Sequence, residues 1–403
     1  MSASPPAAAS NWVVLAVTLA IQSMGTMSLI TLPVMAPEVA RALGVSPALV
    51  GVYVSIVYLG AVVATVLGGT LVARWGAIRV SQWCLVVCLA GLLLCAVPWM
   101  PAVAVGAVLI GLGYGPITPA SSHLLAITTP AHRMALVFSL KQTGVPLGSL
   151  LAGAIVPSLM LLTGWQASLA LVGLACLAIA ACSQPLRAAL DADRQPDARI
   201  NARALIDPVR LVLGHGALRA LALCSLLFSV VQMSTTSYLV TYLHEDLAFD
   251  LVMAGLLLSI AQAGGVIGRI TWGLVADRWL GARRMLLVLA IMMAATSLAT
   301  AMITPQTPRL LLMVLLVLSG AGAIGWNGVY LAEVARRAPA GSASLATGGT
   351  LGFTFSGVVL GPPLFGLVAA LAGAYRAGFL MLVLAAAASA WVLVASASRA
   401  RSA

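Results

Sequence analysis

Uncharged apolar runs of about 18 residues or more recur along the whole chain, and short polar segments separate them. A continuous run of that length is typical of a helix that crosses about 30 Å of hydrocarbon, whereas a barrel strand alternates apolar and polar residues. The pattern therefore predicts twelve membrane spans and no barrel. We place spans 1 to 12 at about 12–35, 48–72, 80–99, 102–127, 134–158, 166–183, 216–241, 251–276, 284–303, 309–332, 345–370 and 375–396.

The second half of the sequence repeats part of the first half at a constant offset. Gly51–Trp75 matches Gly255–Trp279, with small residues and an Arg-Trp pair at equivalent positions. An internal repeat in a membrane protein indicates two similar bundles packed side by side, an architecture common among transporters. One extended polar stretch separates the two copies. We predict an N-terminal six-helix bundle at 1–183, a cytoplasmic linker at 184–214 and a C-terminal six-helix bundle at 215–403.

Charge is scarce and unevenly distributed. Charged residues make up 8% of the chain and hydrophobic residues 62%, which excludes an ordinary soluble domain. Fifteen arginines fall in the segments on one side of the predicted spans and three in the loops on the other side. The positive-inside rule then predicts a multi-pass protein of the inner (cytoplasmic) membrane with both termini in the cytoplasm. The same bias accounts for the net charge of +11 without a nucleic-acid partner.

A loop motif occurs once in each half, on the side predicted to be cytoplasmic. In the second half, Gly273–Arg284 closes span 8 and opens span 9, and Asp277 is its only acid. The first-half copy is Gly69–Arg79, where Ala73 takes the place of the acid. The motif resembles the signature loop of the major facilitator superfamily. That resemblance implies an all-α membrane protein with twelve transmembrane helices in two pseudo-symmetric six-helix bundles.

The loop residues are candidates for gating. Glycine permits a tight reversal and a close helix approach, and an acid can cap a neighbouring helix N-terminus. A sole acid among arginines needs a defined partner, so we expect Asp277 to contact the start of span 11, near 342–347, in one access state only. In the alternative interpretation these loops only anchor the topology. The gating residues that we predict are Gly273, Asp277, Arg278 and Arg74.

Two basic side chains lie well inside predicted spans. Lys141 is eight residues beyond Arg133 in span 5, and Arg269 is eight residues before Asp277 in span 8. At 1.5 Å per residue, each lies about 12 Å from the predicted cytoplasmic boundary. A charge at that depth costs about 2.5–3.5 kcal/mol, so it should face a cavity or a partner.

None of the ten acidic residues lies in the interior of a span, so an anionic substrate is the simplest counter-charge for these cations. The repeat supports this interpretation, because Arg269 corresponds to the uncharged Thr65 in the first half. The alternative is snorkelling, in which the long side chains carry their charges to the inner interface. We expect Arg269 and Lys141 to face the cavity between the halves and to share one anion.

Two further resemblances concern the substrate. Arg269-Ile-Thr-Trp-Gly273 is similar to the eighth helix of monocarboxylate transporters, where an arginine four residues before the glycine binds the substrate carboxylate. Oxalate/formate exchangers place an arginine similarly. Both families add an intramembrane lysine in helix 1 or 11 that is missing here, so Lys141 would take its place from span 5. The segment from Ser139 to Gly148 also resembles cyanate-permease-like bacterial facilitators.

Uncharged polar side chains inside the spans either complete a central site or bond neighbouring helices to each other. The GxGxxG pattern at Gly320 to Gly325 lies inside a span with no preceding strand, so it predicts helix packing rather than dinucleotide binding. The substrate-site candidates that accompany Arg269 and Lys141 are Gln22, Tyr114, Gln142, Gln232 and Asn327.

These observations favour a secondary active transporter that moves a small organic anion, in particular a carboxylate, by alternating access. The alternative is a drug/proton antiporter on the same fold, although 105–111 in span 4 lacks the charge that such exporters usually carry. Motifs of hydrolases, metalloproteases and nucleotide-binding loops are missing from the sequence, which argues against an enzyme and against direct coupling to ATP. We expect no cofactor and no metal. The expected partners are the anionic substrate, the lipid bilayer and protons as the candidate coupling ion, with the chain acting as a monomer.

Overall fold

The computed structural model describes residues 11–130, 137, 140–195, 203–339 and 343–402. Within these residues the chain is almost entirely helical, and twelve helices are long and apolar enough to cross a membrane. The prediction of twelve spans is confirmed. The helices of spans 1 to 12 are Asn11–Val34, Val50–Trp75, Ala77–Cys95, Met100–Tyr114 with Ile117–Thr128, Gly144–Thr163, Trp165–Cys182, Gly216–Glu245, Leu251–Val275, Ala282–Ala301, Arg309–Gly325 with Asn327–Arg337, Ala343–Ala372 and Tyr375–Ser402.

Short helices occupy several of the connections. Ala36–Leu43 and the 3-10 turn Pro47–Leu49 join spans 1 and 2, and Ala36–Leu43 ends at Gly44, whose φ of 66° suits glycine. The predicted linker contains helical segments at Gln184–Leu186, Arg187–Leu190 and Arg203–Gly214. Span 8 ends in a π-helical turn, Ala276–Leu280, before span 9 begins.

Spans 4 and 10, which are equivalent in the two halves, are each broken near the middle. The break in span 4 falls at Gly115 and Pro116, where proline supplies no backbone N–H to continue the helix. The break in span 10 falls at Trp326, between Gly325 and Asn327, without a proline. Carbonyl groups at both breaks accept hydrogen bonds from side chains of other spans.

Contacts within the chain divide it into two compact units. Unit 1 contains Met1–Leu29, Leu59–Gly148 and Thr163–Ile200, and unit 2 contains Ile30–Tyr58, Ser149–Leu162 and Asn201–Ala403. Unit 2 therefore includes the end of span 1, the start of span 2 and most of span 5 together with the whole of the second half. The domain boundaries predicted at 183 and 215 stay a prediction.

The glycines and serines of the internal repeat make equivalent contacts in the two halves. Ser55 of span 2 donates to the carbonyl of Val359 in span 11, and its counterpart Ser259 of span 8 donates to the carbonyl of Leu150 in span 5. A Cβ on Gly51 would overlap Pro362. In the same way, a Cβ on Gly255 would overlap the backbone of Gly153. A Cβ on Gly60 or Gly264 would overlap the backbone of Val108 or Val317, respectively. The repeated residues therefore make matched helix contacts in the two halves.

Candidate functional site

Three of the predicted substrate residues in unit 2 converge on the break in span 10. The Nε of Arg269 donates to the carbonyl oxygen of Ile324 at 3.1 Å. The indole N–H of Trp326 donates to Oε1 of Gln232 at 2.8 Å, and Trp326 itself is fully buried. Asn327 follows directly and begins the second helix of the span. Three candidate side chains from spans 8, 7 and 10 (Arg269, Gln232 and Asn327) thus lie at or next to this break.

Close packing of spans 8 and 10 holds Arg269 at this position. A Cβ on Gly320 would overlap the backbone of Ala261, and a Cβ on Gly325 would press on the backbone of Gly268. The indole N–H of Trp272 donates to the carbonyl of Ala321 at 2.8 Å, one turn from the Arg269 bond. The GxGxxG pattern in span 10 is therefore a helix-packing element here.

Arg269 is half-buried, and its repeat counterpart makes an equivalent bond. Thr65, which occupies the matching position in span 2, donates its hydroxyl to the carbonyl of Gly115 at 3.0 Å. Gly115 lies at the break in span 4, as Ile324 lies beside the break in span 10. The first half thus makes this contact with a neutral hydroxyl, and the second half makes it with a permanently charged guanidinium.

In unit 1, Lys141 is almost completely buried, with 1% of its surface exposed. It lies in the short helical stretch 140–142, one turn before Gly144. The burial shows that Lys141 does not reach a surface of the protein, so snorkelling does not describe this side chain. A buried ammonium in a membrane span is costly and marks a functional position by default.

Gln22 packs next to this lysine turn. Its Cβ and Cγ atoms face Gly144, where an added Cβ would lie 3.0 Å from them. The side chain of Gln22 is fully buried, and its Oε1 accepts a hydrogen bond from the Thr118 hydroxyl at 3.2 Å. Its Nε2 has no hydrogen-bond partner among the described residues, and a buried amide donor of this kind normally has one.

Tyr114 and Gln142 are half-buried, and Tyr114 lies beside the small residue Gly25 of span 1. Unit 1 thus packs Gln22 against Gly144, which lies about one turn along the chain from Lys141. Lys141 belongs to unit 1 and Arg269 to unit 2, so each site is described by itself. Their predicted sharing of one anion stays a prediction.

The predicted gating residues lie at the arginine-rich ends of their spans. Asp277 and Arg278 are exposed within the π-helical turn, and Asp277 makes no ion pair or hydrogen bond to the described residues. The contact predicted near 342–347 falls largely on residues whose side chains the structure does not describe. Arg74 lies over the indole of Trp75, 5.4 Å from the ring centroid.

The expectation that the first glycine of the loop motif permits a close helix approach is not met here. A Cβ on Gly273, or on its counterpart Gly69, would meet no atom within 4 Å. The tight reversals instead occur at Gly76 and Gly281, with φ of 89° and 74°. Those two glycines are required by backbone conformation, since such φ values strain any residue with a Cβ.

The sequence did not predict that the linker residue Asp191 caps a helix. Its carboxylate accepts hydrogen bonds from the backbone N–H groups of Ile78 at 2.8 Å and Arg79 at 3.0 Å, so it caps span 3. Burial raises the pKa of the Asp191 carboxyl, against the opposing effect of these two hydrogen bonds. Ala73 could have indicated this role. It replaces the acid of the motif, so the N-terminus of span 3 needs a cap from another part of the chain.

A cavity of about 570 Å³ lies in unit 2, and none of the predicted substrate residues lines it. The cavity is therefore separate from the predicted substrate residues. Among the described residues, no group of three or more His, Cys, Asp or Glu side chains is arranged to hold a metal ion.

Comparison with known proteins identifies the family and the fold. The family model described as Major Facilitator Superfamily matches residues 13–354. An uncharacterised MFS-type transporter of Mycobacterium tuberculosis (strain CDC 1551 / Oshkosh) is 23% identical over 367 residues, covering 91% of this chain and 81% of that protein. A second such transporter, from strain ATCC 25618 / H37Rv, is 23% identical over 320 residues, covering 79% and 71%.

Solved structures with the same fold cover nearly the whole chain. The nucleoside transporter NupG (D323A mutant) gives a TM-score of 0.79 at 16% identity, covering 95% of this chain and 99% of that chain. A bacterial homologue of the human lysosomal transporter Spinster, inward-facing and occupied, gives 0.76 at 15% identity and 96% of both chains. The chain belongs to the major facilitator superfamily, and it is a multi-pass membrane transporter rather than an enzyme.

Proposed function

We propose that this protein is a secondary active transporter of a small organic anion, in particular a carboxylate. The observation that carries the proposal is the comparison of Arg269 with Thr65. Both side chains bond a carbonyl at the break of the partner span, yet only the second half uses a permanent charge for it. Because a hydroxyl makes the equivalent contact in the first half, we attribute the charge of Arg269 to recognition of an anionic ligand.

The chemistry of a guanidinium suits a carboxylate. Its planar fork presents parallel N–H groups that match the two oxygens of a carboxylate. The bond from Nε to the Ile324 carbonyl fixes the orientation of that fork at the break in span 10. Gln232 and Asn327 lie at the same break and add amide groups for the polar part of a substrate.

Lys141 and Gln22 support the proposal from unit 1. A fully buried ammonium beside a buried amide N–H₂ makes a region of donors, which favours a ligand that only accepts hydrogen bonds. None of the acids of the sequence lies in a span interior. An anion that enters this region therefore lowers the cost of keeping the lysine charged in the membrane.

Transport by alternating access requires contacts that form and break. We propose that Asp277 and its neighbours Gly273 and Arg278, with Arg74 in the first-half loop, regulate one side, which the positive-inside rule places in the cytoplasm. On the opposite side, the Tyr238 hydroxyl donates to the Ala48 carbonyl and accepts from the Gly51 N–H, and these contacts must open in another state. Protons are the proposed coupling ion, because a carboxylate substrate can carry one itself.

The fold neighbours do not specify the substrate. One of the two named structures is a nucleoside transporter and the other is described as a Spinster homologue, at 16% and 15% identity. Identities in that range show the fold alone, so the substrate class proposed here rests on residues of this chain.

Uptake into proteoliposomes across a panel of radiolabelled mono- and dicarboxylates, with and without a pH gradient, tests the proposal. We expect saturable uptake of at least one carboxylate by the wild-type protein. The decisive variant is Arg269→Thr, which gives the second half the residue that the first half already uses at this position. It keeps a hydroxyl for the Ile324 carbonyl and removes the charge, so we expect folding to persist and anion affinity to fall about 10- to 100-fold.

The companion variants separate charge from geometry. Arg269→Lys keeps the charge but loses the fork, so most transport should be lost, whereas Lys141→Arg should be better tolerated. Arg309→Ala, which removes an exposed arginine at the opposite end of span 10, is the matched control and should transport normally. Normal carboxylate uptake by both Arg269→Thr and Lys141→Ala would overturn the proposal. Proton-driven efflux of cationic drugs by the wild type would instead indicate the antiporter function.

A further inference from the structure

The cavity of about 570 Å³ in unit 2 lies where four spans meet at their arginine-rich ends. Its walls come from the start of span 7, the start of span 9, the end of span 10 and the end of span 12. A cavity of this volume is within the roughly 300–1,000 Å³ range of small-molecule sites. The lining residues used below are Arg219, Leu223, Arg283, Glu333, Arg337 and Trp391.

Three arginines and one glutamate line the cavity, which leaves an excess of two positive charges. Glu333 is 5% exposed and accepts from Arg337 at 3.1 Å and from the neighbouring Arg336 at 3.3 Å. The acid is therefore already paired. Arg219 and Arg283 have no ion pair among the described residues, and Arg283 is close enough to both Arg337 and Glu333 to be repelled by the first and attracted by the second. An anion in the cavity relieves that repulsion.

Arg283 is held in place by protein contacts. Its terminal Nη2 donates to the carbonyl of Leu393 at 2.7 Å and to the hydroxyl of Ser396 at 2.8 Å, both in span 12. This arginine therefore joins spans 9 and 12 and presents its positive charge at a fixed position. A pre-formed cationic wall of this kind binds an anion without first having to order a flexible side chain.

The remaining walls are apolar and extend toward the membrane. Trp391 and Leu223 line the cavity and are 69% and 46% exposed. On a membrane-spanning helix, an exposed apolar side chain faces lipid, and tryptophan is favoured at the level of the headgroups. The cavity thus combines phosphate-binding cations at the interface with an apolar edge that suits acyl chains.

We propose that this cavity is a binding site for the phosphate headgroup of an anionic phospholipid. The phosphate lies among Arg219, Arg283 and Arg337, and the acyl chains pass Trp391 and Leu223. Basic pockets between spans on the cytoplasmic side are the usual setting for such recognition. The site is distinct from the proposed substrate site, because none of the predicted substrate residues lines the cavity.

Native mass spectrometry of the full chain in detergent, titrated with phosphatidylglycerol or with phosphatidylcholine, tests the proposal. We expect the first phosphatidylglycerol molecule to bind more tightly than phosphatidylcholine. Arg219→Gln and Arg337→Gln should each weaken that event about five-fold, as for one arginine near a lipid headgroup. Arg284→Gln is the matched control: Arg284 is the exposed neighbour of Arg283 and does not line the cavity, so its removal should change nothing.

A second measurement determines whether the acyl chains of the bound lipid lie next to Trp391. In phosphatidylcholine vesicles that contain phosphatidylglycerol with brominated acyl chains, bromine should quench tryptophan fluorescence, and Trp391→Phe should remove part of that quenching. Equal affinities for the two lipids, or equal phosphatidylglycerol affinities in Arg219→Gln and Arg284→Gln, would overturn the proposal. Full displacement of the lipid by an equal concentration of inorganic phosphate would also overturn it, because it indicates a free-phosphate site.

Discussion

The two copies of the loop motif begin from similar sequences and are completed by different contacts. In the first copy, Gly76 turns the chain, Asp191 from the linker caps span 3, and the N–H of Gln195 donates to the Ala73 carbonyl at 2.6 Å. In the second copy, Gly281 turns the chain at a place where an added Cβ would meet no atom within 4 Å, and Asp277 is exposed. The first loop receives a carboxylate cap from a distant segment, whereas the second loop is tied to span 12 through Arg283 and leaves its own acid exposed.

The position of the acid explains the difference. The first loop lacks its own acid and receives a buried carboxylate from more than 100 residues away, so its capping is part of the tertiary structure. The second loop keeps its own acid on an exposed turn, where the carboxylate is available to a partner in another state. Under the gating role proposed for Asp277, the second loop would change its contacts between states while the first loop keeps its cap.

The largest difference between the loops should appear when an alanine replaces the turn glycine. Both glycines occupy a region of backbone conformation that is nearly restricted to glycine, which costs another residue about 1–3 kcal/mol. A Cβ on Gly76 would additionally overlap Asp191, at a further cost of about 1–3 kcal/mol. Thermal unfolding in detergent should therefore show Gly76→Ala well below Gly281→Ala. Equal melting temperatures would show that the Asp191 contact is absent in solution.

The two acids should separate stability from transport. Asp191→Ala removes both backbone caps of span 3 and should cost about 2 kcal/mol of stability. Asp277→Asn removes an exposed charge, so its stability should change by less than about 0.5 kcal/mol while its transport rate changes more than its substrate affinity. Melting curves and initial uptake rates of the same two preparations provide the measurement. A large loss of stability in Asp277→Asn, with unaltered rates, would reverse the assignment of the two loops.

The smallest expected effect is a dependence on pH that belongs to the first loop alone. Burial raises the pKa of Asp191 above its usual value of 3.8, so the folded protein holds this proton more tightly than the unfolded chain does. The contribution of Asp191 to stability is therefore greatest below pH 3.8 and decreases as the pH rises through its folded pKa. As the pH is raised from 3.8, melting temperatures should therefore fall more steeply for wild type than for Asp191→Asn. Asp277→Asn is the control and should keep the wild-type slope.

The parts of the fold that follow from local pattern could be predicted from the sequence. Span length and polarity gave all twelve helices, and the repeat gave the matched contacts of Gly51, Gly255, Ser55 and Ser259. Lys141 could be selected as a buried cation from its position alone. These inferences succeed because hydrocarbon forces hydrogen-bonded helices and leaves few places for a charge.

The remaining features depend on tertiary contacts that no local pattern encodes. The cap from Asp191 requires the end of span 6 to meet the loop between spans 2 and 3. The break at Trp326 carries no proline, so neither its place nor its bond to Gln232 could be read from the sequence. The arginine-lined cavity is formed by four spans, whose lining residues range from Gly216 to Ser396 along the chain.

The membership of unit 2 has a consequence for how the protein is made. The hydrogen bond between Ala48 and Tyr238 joins residues 190 positions apart in the sequence. The bond between Leu150 and Ser259 spans 109 positions, and the bond between Ser55 and Val359 spans 304. When the first six spans leave the ribosome, 30–58 and 149–162 therefore have none of these partners. Contacts so distant in sequence form slowly and leave surfaces exposed meanwhile. Biogenesis of the first half is finished only by span 11, so a chain that stops after span 6 should be recognised as incomplete by membrane quality control.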